Sequence, residues 1–249
     1  MAKGGGARGR QGRPGKSPGA GRAKKDAAPR RPGKPSTTAP RGADAPPETA
    51  RAPTTFVLGA IPGATPGGWI DAWNERMPHT EFELRPIAVA TQRDTLREGV
   101  LDAALVRLPI DGDGLHIIPL YDEVSVVVSP ADSHLTAADE LELADLAGEI
   151  LIVPHDDVLA LDVPGAVSPS FAAPEDTEQA IATVAAGVGI VIVPMSLARL
   201  HRRKDAAYRP LRDAPTSTVA LAWPAERTTP SVETFVGIVR GRTANSSRS

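Results

Sequence analysis

The chain lacks cysteine altogether and has few aromatic residues, and these shortages exclude several classes of protein. With no cysteine among 249 residues, neither a disulfide nor a thiolate metal site can form. No run of about 18 apolar residues occurs, so the sequence contains no candidate transmembrane helix. The charged N-terminus is not followed by the apolar stretch that a secretory signal needs. These absences favour a cytoplasmic protein with no membrane contact.

Large apolar side chains are also missing from the first fifth of the chain. Residues 1–51 contain no Val, Ile, Leu, Phe, Tyr or Trp, and they carry 13 basic against three acidic side chains, a formal charge of +10. A segment of this composition cannot bury enough apolar surface to offset the entropy lost on ordering. We predict a disordered basic tail over residues 1–53 and a short disordered tail over 244–249. Residues 52–249 carry 15 basic and 27 acidic side chains, so an anionic body of charge −12 follows the cationic tail.

Two interpretations of the basic tail remain open. Clustered Lys and Arg bind nucleic acid by neutralising phosphates, without sequence choice. The tail has no aromatic residue on which bases could stack, so any such contact would be weak and non-specific. The alternative is a solubilising extension with no ligand. The candidate nucleic-acid residues are Arg8, Arg10, Arg13, Lys16, Arg22, Lys24, Lys25, Arg30, Arg31 and Lys34.

The stretch from Ile181 to Leu200 indicates the fold class of the body. Ile181, Val184, Ala185 and Val188 have the spacing of one apolar helix face. Gly187 stands where a helix C-terminus favours a residue that adopts positive φ. The β-branched run Ile190–Val193 is typical of a strand buried in a parallel sheet, and Pro194 is suited to the first position of the next helix.

The rest of the body repeats this alternation of strands and helices. Strands are predicted at 55–61, 81–87, 102–106, 115–120, 123–128, 149–153, 190–193 and 219–223, and the spacing of Trp69, Trp73 and Met77 predicts a helix that faces the core. Alternating elements predict an α/β fold with mostly parallel sheets. We expect two lobes joined by two crossing segments, with a ligand cleft between them.

Four motifs, in order, carry a resemblance to a known family. They are FVLGAIPG at Phe56–Gly63, TQRDTLREGVLDAALVR at Thr91–Arg107, IIPLYDEVSVVVSPADSHL at Ile117–Leu135 and TVAAGVGIVIVP at Thr183–Pro194. The body resembles the effector-binding domain of LysR-type transcriptional regulators. The resemblance implies a two-lobed α/β fold like that of type-2 periplasmic binding proteins over residues 54–243. Lobe I would comprise 54–127 and 224–243, and lobe II would comprise 128–223.

The resemblance also implies a function and a set of site residues. The domain would bind a small anionic metabolite, often a carboxylate, in its central cleft. Thr65 and Thr91 stand at predicted helix starts, where backbone N–H groups favour an anion, although each is equally suited to a plain N-cap role. Arg107 is either a ligand contact or a surface ion-pair partner. The implied cleft residues are Pro62, Gly63, Ala64, Thr65, Thr91, Gln92, Arg107, Ser129, Val188 and Gly189.

The chain departs from the family at its N-terminus. The place where the family has a winged helix-turn-helix holds only the basic tail, so sequence-specific DNA binding and the dimerising linker helix are not carried over. A homodimer remains possible through the bodies. An enzyme on this fold is a further alternative, but residues 52–249 contain no G-x-S-x-G, G-x-x-x-x-G-K or H-E-x-x-H motif, and we assign no catalytic residue, metal or cofactor. His155-Asp156-Asp157 is interpreted as a solvated turn rather than a metal cluster.

Overall fold

The computed structural model describes residues 54–246, with side chains as far as residue 241. The predictions for the basic tail, and for residues 247–249 of the short C-terminal tail, lie outside these residues, whereas 244–246 end the last helix. The described strands are β1 Thr54–Ala60, β2 Thr80–Pro86, β3 Ala103–Arg107, β4 Leu115–Glu123, β5 Ser125–Pro130, β6 Val191–Pro194, β7 Ala206–Pro210 and β8 Ser217–Pro224. The α-helices are α1 Gly67–Arg76, α2 Gln92–Arg97, α3 Thr177–Ala185, α4 Met195–Leu200 and α5 Pro230–Ser246.

Lobe I is built on a five-stranded mixed sheet with the strand order β2-β1-β3-β8-β4. Strand β1 runs parallel to β2 and β3, whereas β8 runs antiparallel to β3 and β4. Helices α1 and α5 pack on one face, where Phe56 stacks on Trp73 at 4.5 Å between ring centroids and both side chains are fully buried. Helix α2 covers the other face through Leu96. The predicted core position of Trp69 and Trp73 is confirmed.

Lobe II is built on a three-stranded sheet with the order β6-β5-β7, and both pairings are antiparallel. The prediction of a mostly parallel sheet is therefore wrong for this lobe. The run Ile190–Val193 is buried as predicted, but burial on both faces does not set the direction of the neighbouring strand. Helix α3 covers one face through Ile181 and Val184.

Several elements of lobe II differ from the sequence-based expectation. Strand β7 was not predicted, because it is short and only half-buried, and so lacks a continuous apolar run. The strand expected over 149–153 is reduced to isolated bridges from Ile150 to Val167 and from Leu151 to Ile190. Helix α3 ends at Ala185, so Val188 lies beyond its apolar face, although Gly187 does adopt the predicted positive φ of 90°.

The chain passes from one lobe to the other at earlier residues than the predicted boundaries. Strand β5 belongs to the sheet of lobe II and β8 to the sheet of lobe I. Boundaries at 127/128 and 223/224 would therefore cut through strands. The chain crosses instead at Val124, between β4 and β5, and again between Leu211 and Ser217. The burial pattern alone does not reveal the crossings, because β5 and β8 are buried at nearly every position whichever sheet they join.

The described residues include no helix that is both long enough and apolar enough to cross a membrane.

Candidate functional site

A cavity of about 480 Å³ lies between the two lobes. We call it the Arg107 cavity. Lobe I contributes Pro62, Ala88, Val89, Ala90, Arg107, Leu108 and Pro109. Lobe II contributes His155, Asp156, Asp157, Val158, Asp176, Thr177, Glu178, Leu197, Leu200 and His201. A ligand here would touch both lobes at once.

Arg107 is the buried cation of this cavity. It ends strand β3 and is only 2% exposed. Its Nη1 donates to Glu123 Oε2 at 2.9 Å and to Ser217 Oγ at 2.6 Å. Nε and Nη2 are buried and have no hydrogen-bond partner among the described residues. Buried donors without acceptors are rare in proteins, because the protein must otherwise bear their full desolvation penalty.

Gln92 fixes the backbone of Arg107. The Gln92 side chain, 5% exposed, donates from Nε2 to the Arg107 carbonyl and accepts the Arg107 N–H at Oε1, both at 2.8 Å. Both ends of the amide are therefore committed to one residue. The structure makes Gln92 a positioning residue for Arg107, whereas the sequence suggested a cleft contact.

Glu123 joins the two lobes at the edge of the site. Its Oε2 accepts from Arg107 of lobe I and, at 2.9 Å, from the Ser196 hydroxyl at the start of α4 in lobe II. Nearby, burial and the carboxylate of Glu123 raise the pKa of the Tyr121 phenol, and Arg107 offsets part of that rise. The neutral phenol is thereby retained beside a buried ion pair.

The lobe II wall of the Arg107 cavity is acidic. Asp156 accepts from the Thr177 hydroxyl at 2.9 Å, and Asp176 caps α3 by accepting from the Gln179 N–H at 2.8 Å. Asp157 accepts backbone N–H groups at both carboxylate oxygens, at 3.1 and 2.9 Å. The Oε2 atom of Glu178 lies 3.9 Å from Nδ1 of His201. The tripeptide interpreted from sequence as a solvated turn therefore forms part of a cavity wall.

A second cavity, of about 900 Å³, lies near the point where the lobes cross. We call it the Trp69 cavity. The predicted residues Gly63, Ala64 and Thr65 line it, and Tyr121 and Arg199 lie among the other lining residues. Trp69 Nε1 is buried without a partner among the described residues. Gly63 has a φ of +85°, and a Cβ added there would collide with the Ser196 hydroxyl, so lobe I closely approaches lobe II at this turn.

The structure brings only some of the predicted site residues together. Pro62 and Arg107 line the Arg107 cavity, and Gly63, Ala64 and Thr65 line the Trp69 cavity. Thr91 lines neither cavity, although it directly follows Ala88–Ala90, which line the first. The turn after β1 thus divides its residues between two cavities.

Neither threonine acts as the predicted helix cap. The Thr65 hydroxyl donates to the Gly63 carbonyl at 3.2 Å, and α1 begins at Gly67 with Pro66 before it. Thr91 makes no side-chain cap, because a 3₁₀ turn over Val89–Thr91 runs directly into α2. A residue already inside a turn does not have the extended backbone that an N-cap side chain requires.

Three other predicted residues lie away from both cavities. Ser129 is 2% exposed inside β5, opposite Ala207 of β7, and not at the crossing point. Val188 lines a separate surface hollow beside Phe171. Gly189 has a φ of +59°, and a Cβ at this position would collide with the Ile150 carbonyl oxygen. The second glycine of the motif therefore serves close packing of the backbone.

Sequence reasoning missed most of the lobe II wall. Its residues come from an irregular stretch that begins at Pro154, from the start of α3, and from α4 and the residue after it, which are distant in sequence. A signal existed for Leu108 and Pro109, because they follow the carboxyl end of a strand that is parallel to β1. Within residues 54–246, no group of three or more His, Asp or Glu side chains is arranged to hold a metal ion.

Comparison with known proteins identifies the family. The family model described as "LysR substrate binding domain" matches residues 53–244. This chain belongs to the LysR substrate-binding domain family. It is 28% identical over 182 residues to the Hca operon transcriptional activator HcaR of Escherichia coli K12, and 34% identical over 143 residues to the transcriptional regulator CatR of Pseudomonas putida. These relatives are transcriptional regulators and not enzymes.

Solved structures show the same fold. The effector-binding domain of a BenM variant matches with a TM-score of 0.66 at 21% identity, covering 79% of this chain and 97% of that one. The reduced OxyR regulatory domain of Pseudomonas aeruginosa matches with a TM-score of 0.60 at 26% identity, covering 76% of this chain and 96% of that one. The matched region is 68% of this chain and 60% of HcaR, and 54% of this chain and 49% of CatR. The family membership thus concerns the effector-binding body.

Proposed function

We propose that residues 54–243 are the effector-sensing module of a LysR-type transcriptional regulator and bind a small molecule in the Arg107 cavity. One observation carries the proposal: a buried guanidinium with two unpartnered nitrogens lines a cavity whose walls come from both lobes. Its volume of about 480 Å³ lies within the range usual for small-molecule sites.

The unpartnered donors of Arg107 favour an effector that carries a hydrogen-bond acceptor group, such as a carboxylate. Glu123 and Ser217 engage only Nη1, so Nε and Nη2 remain to donate. These two nitrogens lie on one edge of the planar guanidinium, the geometry that binds a carboxylate through two parallel hydrogen bonds. Both nitrogens are covered in this arrangement of the side chains, so the guanidinium would turn toward the cavity for the carboxylate end of a small metabolite to satisfy both donors.

Binding in this position would change how the two lobes are arranged relative to each other. The cavity has walls in both lobes, and the lobes are joined at Val124 and through residues 212–216. A ligand that contacts both walls favours whichever interlobe arrangement maximises those contacts. The regulator's response to its effector would follow from that shift.

A thermal-shift screen of carboxylate metabolites tests the proposal. A ligand present at 100 times its Kd should stabilise the native state by about 2.7 kcal/mol. Arg107→Lys should abolish the shift, because an ammonium keeps the charge but loses the bidentate edge. Arg85→Lys, at the exposed pair with Glu83, is the matched control and should retain it. A broad screen without a stabilising compound would contradict the proposal.

The biological setting is part of the same proposal. HcaR and CatR are named as transcriptional regulators. We accordingly propose a regulatory role in the cytoplasm and a homodimer formed through the bodies. Size-exclusion chromatography with light scattering would measure the mass, and a monomer at micromolar concentration would contradict the dimer.

A second activity is favoured by the charge of residues 1–51. Their formal charge of +10 is suited to weak, non-specific contact with nucleic acid. Deleting residues 1–51 should abolish the binding of a short DNA duplex at low salt, as measured by fluorescence anisotropy. Binding by the full chain should fall steeply as salt rises. Unchanged affinity after the deletion would assign the binding elsewhere.

A further inference from the structure

We propose that the effector of the Arg107 cavity is amphoteric, with a carboxylate end for Arg107, a protonated amine for the lobe II wall and an apolar body between them. This inference rests on the proposed function, because it assigns a chemical class to the ligand of the same site. It replaces a purely anionic metabolite with an amino-acid-like one.

The lobe II wall presents four carboxylates and no lysine or arginine. They belong to Asp156, Asp157, Asp176 and Glu178. Within the described residues, Glu178 has an ion pair only with His201, at 3.9 Å, and the three aspartates have none. His155, Thr177 and His201 complete the polar part of this wall. Excess negative charge on one wall favours a cationic group beside it.

Existing hydrogen bonds leave acceptor capacity on this wall. The Thr177 hydroxyl uses Oδ1 of Asp156, and the Gln179 N–H uses Oδ1 of Asp176. Each leaves the second carboxylate oxygen for a ligand. Only Asp157 has both oxygens committed to backbone N–H groups. The N-terminal dipole of α3 offsets about half an elementary charge near Asp176 and Glu178, so the wall stays strongly negative.

Arg107 does not neutralise that wall. It is the only lysine or arginine among the residues that line the cavity, and its charge is already paired with Glu123. A ligand that carried negative charge alone would gain the two free donors but would face four carboxylates. A ligand with both charges satisfies each wall.

The body of the ligand is apolar by the same reasoning. Apart from Arg107, the lobe I wall consists of apolar residues: Pro62, Ala88, Val89, Ala90, Leu108 and Pro109. These residues offer no side-chain hydrogen bond. The portion of the effector between its two ends would therefore be hydrocarbon or aromatic.

Three probes of nearly equal size separate the charge classes. The compound 4-(aminomethyl)benzoate carries both charges at opposite ends of an aromatic ring, 4-methylbenzylamine only the positive one, and 4-methylbenzoate only the negative one. With the full chain at equal probe concentrations, we expect 4-(aminomethyl)benzoate to raise Tm most, 4-methylbenzylamine to raise it less, and 4-methylbenzoate to leave it unchanged. A shift by 4-methylbenzoate equal to that of 4-(aminomethyl)benzoate, or no shift by any of the three, would overturn the inference.

Wall variants locate the effect. Asp156→Asn combined with Glu178→Gln should weaken 4-(aminomethyl)benzoate binding by about fivefold, the effect of removing partly exposed charge partners. Glu75→Gln is the control, because Glu75 is exposed on α1 and lines neither cavity. An equal loss in both variants would also overturn the inference. A screen that finds only simple carboxylates would overturn it while leaving the proposed function intact, whereas a screen without hits would contradict both.

Discussion

At the scale of single residues, Gly63 determines how closely the lobes approach. Its φ of +85° is strained for any residue with a Cβ, and that Cβ would meet the Ser196 side chain. We expect Gly63→Ala to lower the free energy of unfolding by more than 1 kcal/mol, because the left-handed conformation alone costs about 1–2 kcal/mol. Urea unfolding measures the change.

Gly67 provides the matched control for this substitution. It is also in the turn and helix start after β1, but nothing lies within 4 Å of an added Cβ and its φ is not positive. Gly67→Ala should be neutral or stabilising, since alanine is favoured over glycine in a helix by about 1 kcal/mol. Equal losses in the two variants would show that the contact with Ser196 is unimportant.

The raised pKa of Tyr121 predicts that the stability of the protein depends on pH above about pH 10. Burial first, and the Glu123 carboxylate second, raise its pKa above the ordinary value of 10.0. A raised pKa in the folded state means that the neutral phenol is favoured there. Its contribution to stability is therefore fully present below about pH 10 and is lost as the pH rises through the folded pKa.

The titration can be observed directly. The chain has two tyrosines, so Tyr208→Phe leaves Tyr121 as the only phenol. Its ultraviolet absorbance should show ionisation above pH 10, and Glu123→Gln should move the midpoint downward. A midpoint at or below 10 in the Tyr208→Phe variant would be inconsistent with the described surroundings.

At the scale of elements, the end of β4 joins the two lobes through Glu123, which contacts Arg107 of β3 and Ser196 of α4. The Glu123 side chain is 9% exposed and that of Arg107 is 2% exposed, so removing the carboxylate leaves a buried charge without its partner. Glu123→Ala should lower the free energy of unfolding by about 3–5 kcal/mol. Chemical denaturation measures it.

The comparison for this pair is the exposed pair Arg85–Glu83. The side chains of Arg85 and Glu83 are 40% and 46% exposed. Glu83→Ala should therefore change the free energy of unfolding by less than about 1 kcal/mol. A loss at Glu123 no larger than the loss at Glu83 would argue that water already screens the pair with Arg107.

Strands and helices that have a continuous or periodic pattern of apolar residues were predictable from the sequence, and those without such a pattern were not. Strand β1 and helix α1 have continuous or periodic apolar residues, and both were found within a few residues of their observed bounds. Strand β7 has intermediate burial at every position, so it has no alternating or continuous apolar pattern. Its strand conformation depends on the backbone hydrogen bonds that β5 supplies.

At the scale of the whole molecule, charge sets a response to salt. Residues 52–249 carry a formal charge of −12, and like charges on a compact body repel. Raising the ionic strength from 0.01 to 0.15 M shortens the screening length from about 30 to about 8 Å. The Tm of a chain without residues 1–51 should rise over this range. A falling Tm would show that favourable ion pairs outweigh the net repulsion.

The sequence by itself determined the class of the fold and the family, and it singled out Arg107 as a candidate site residue, whereas the structure showed that Arg107 is buried. Hydrophobic periodicity and four ordered motifs are local properties, and Arg107 ends a strand whose run of apolar residues is visible in the printed sequence. Only the tertiary structure decided strand direction in lobe II, the crossing at Val124 and the acidic wall opposite Arg107. These depend on which distant segments meet, and side-chain type along the chain carries little information about that.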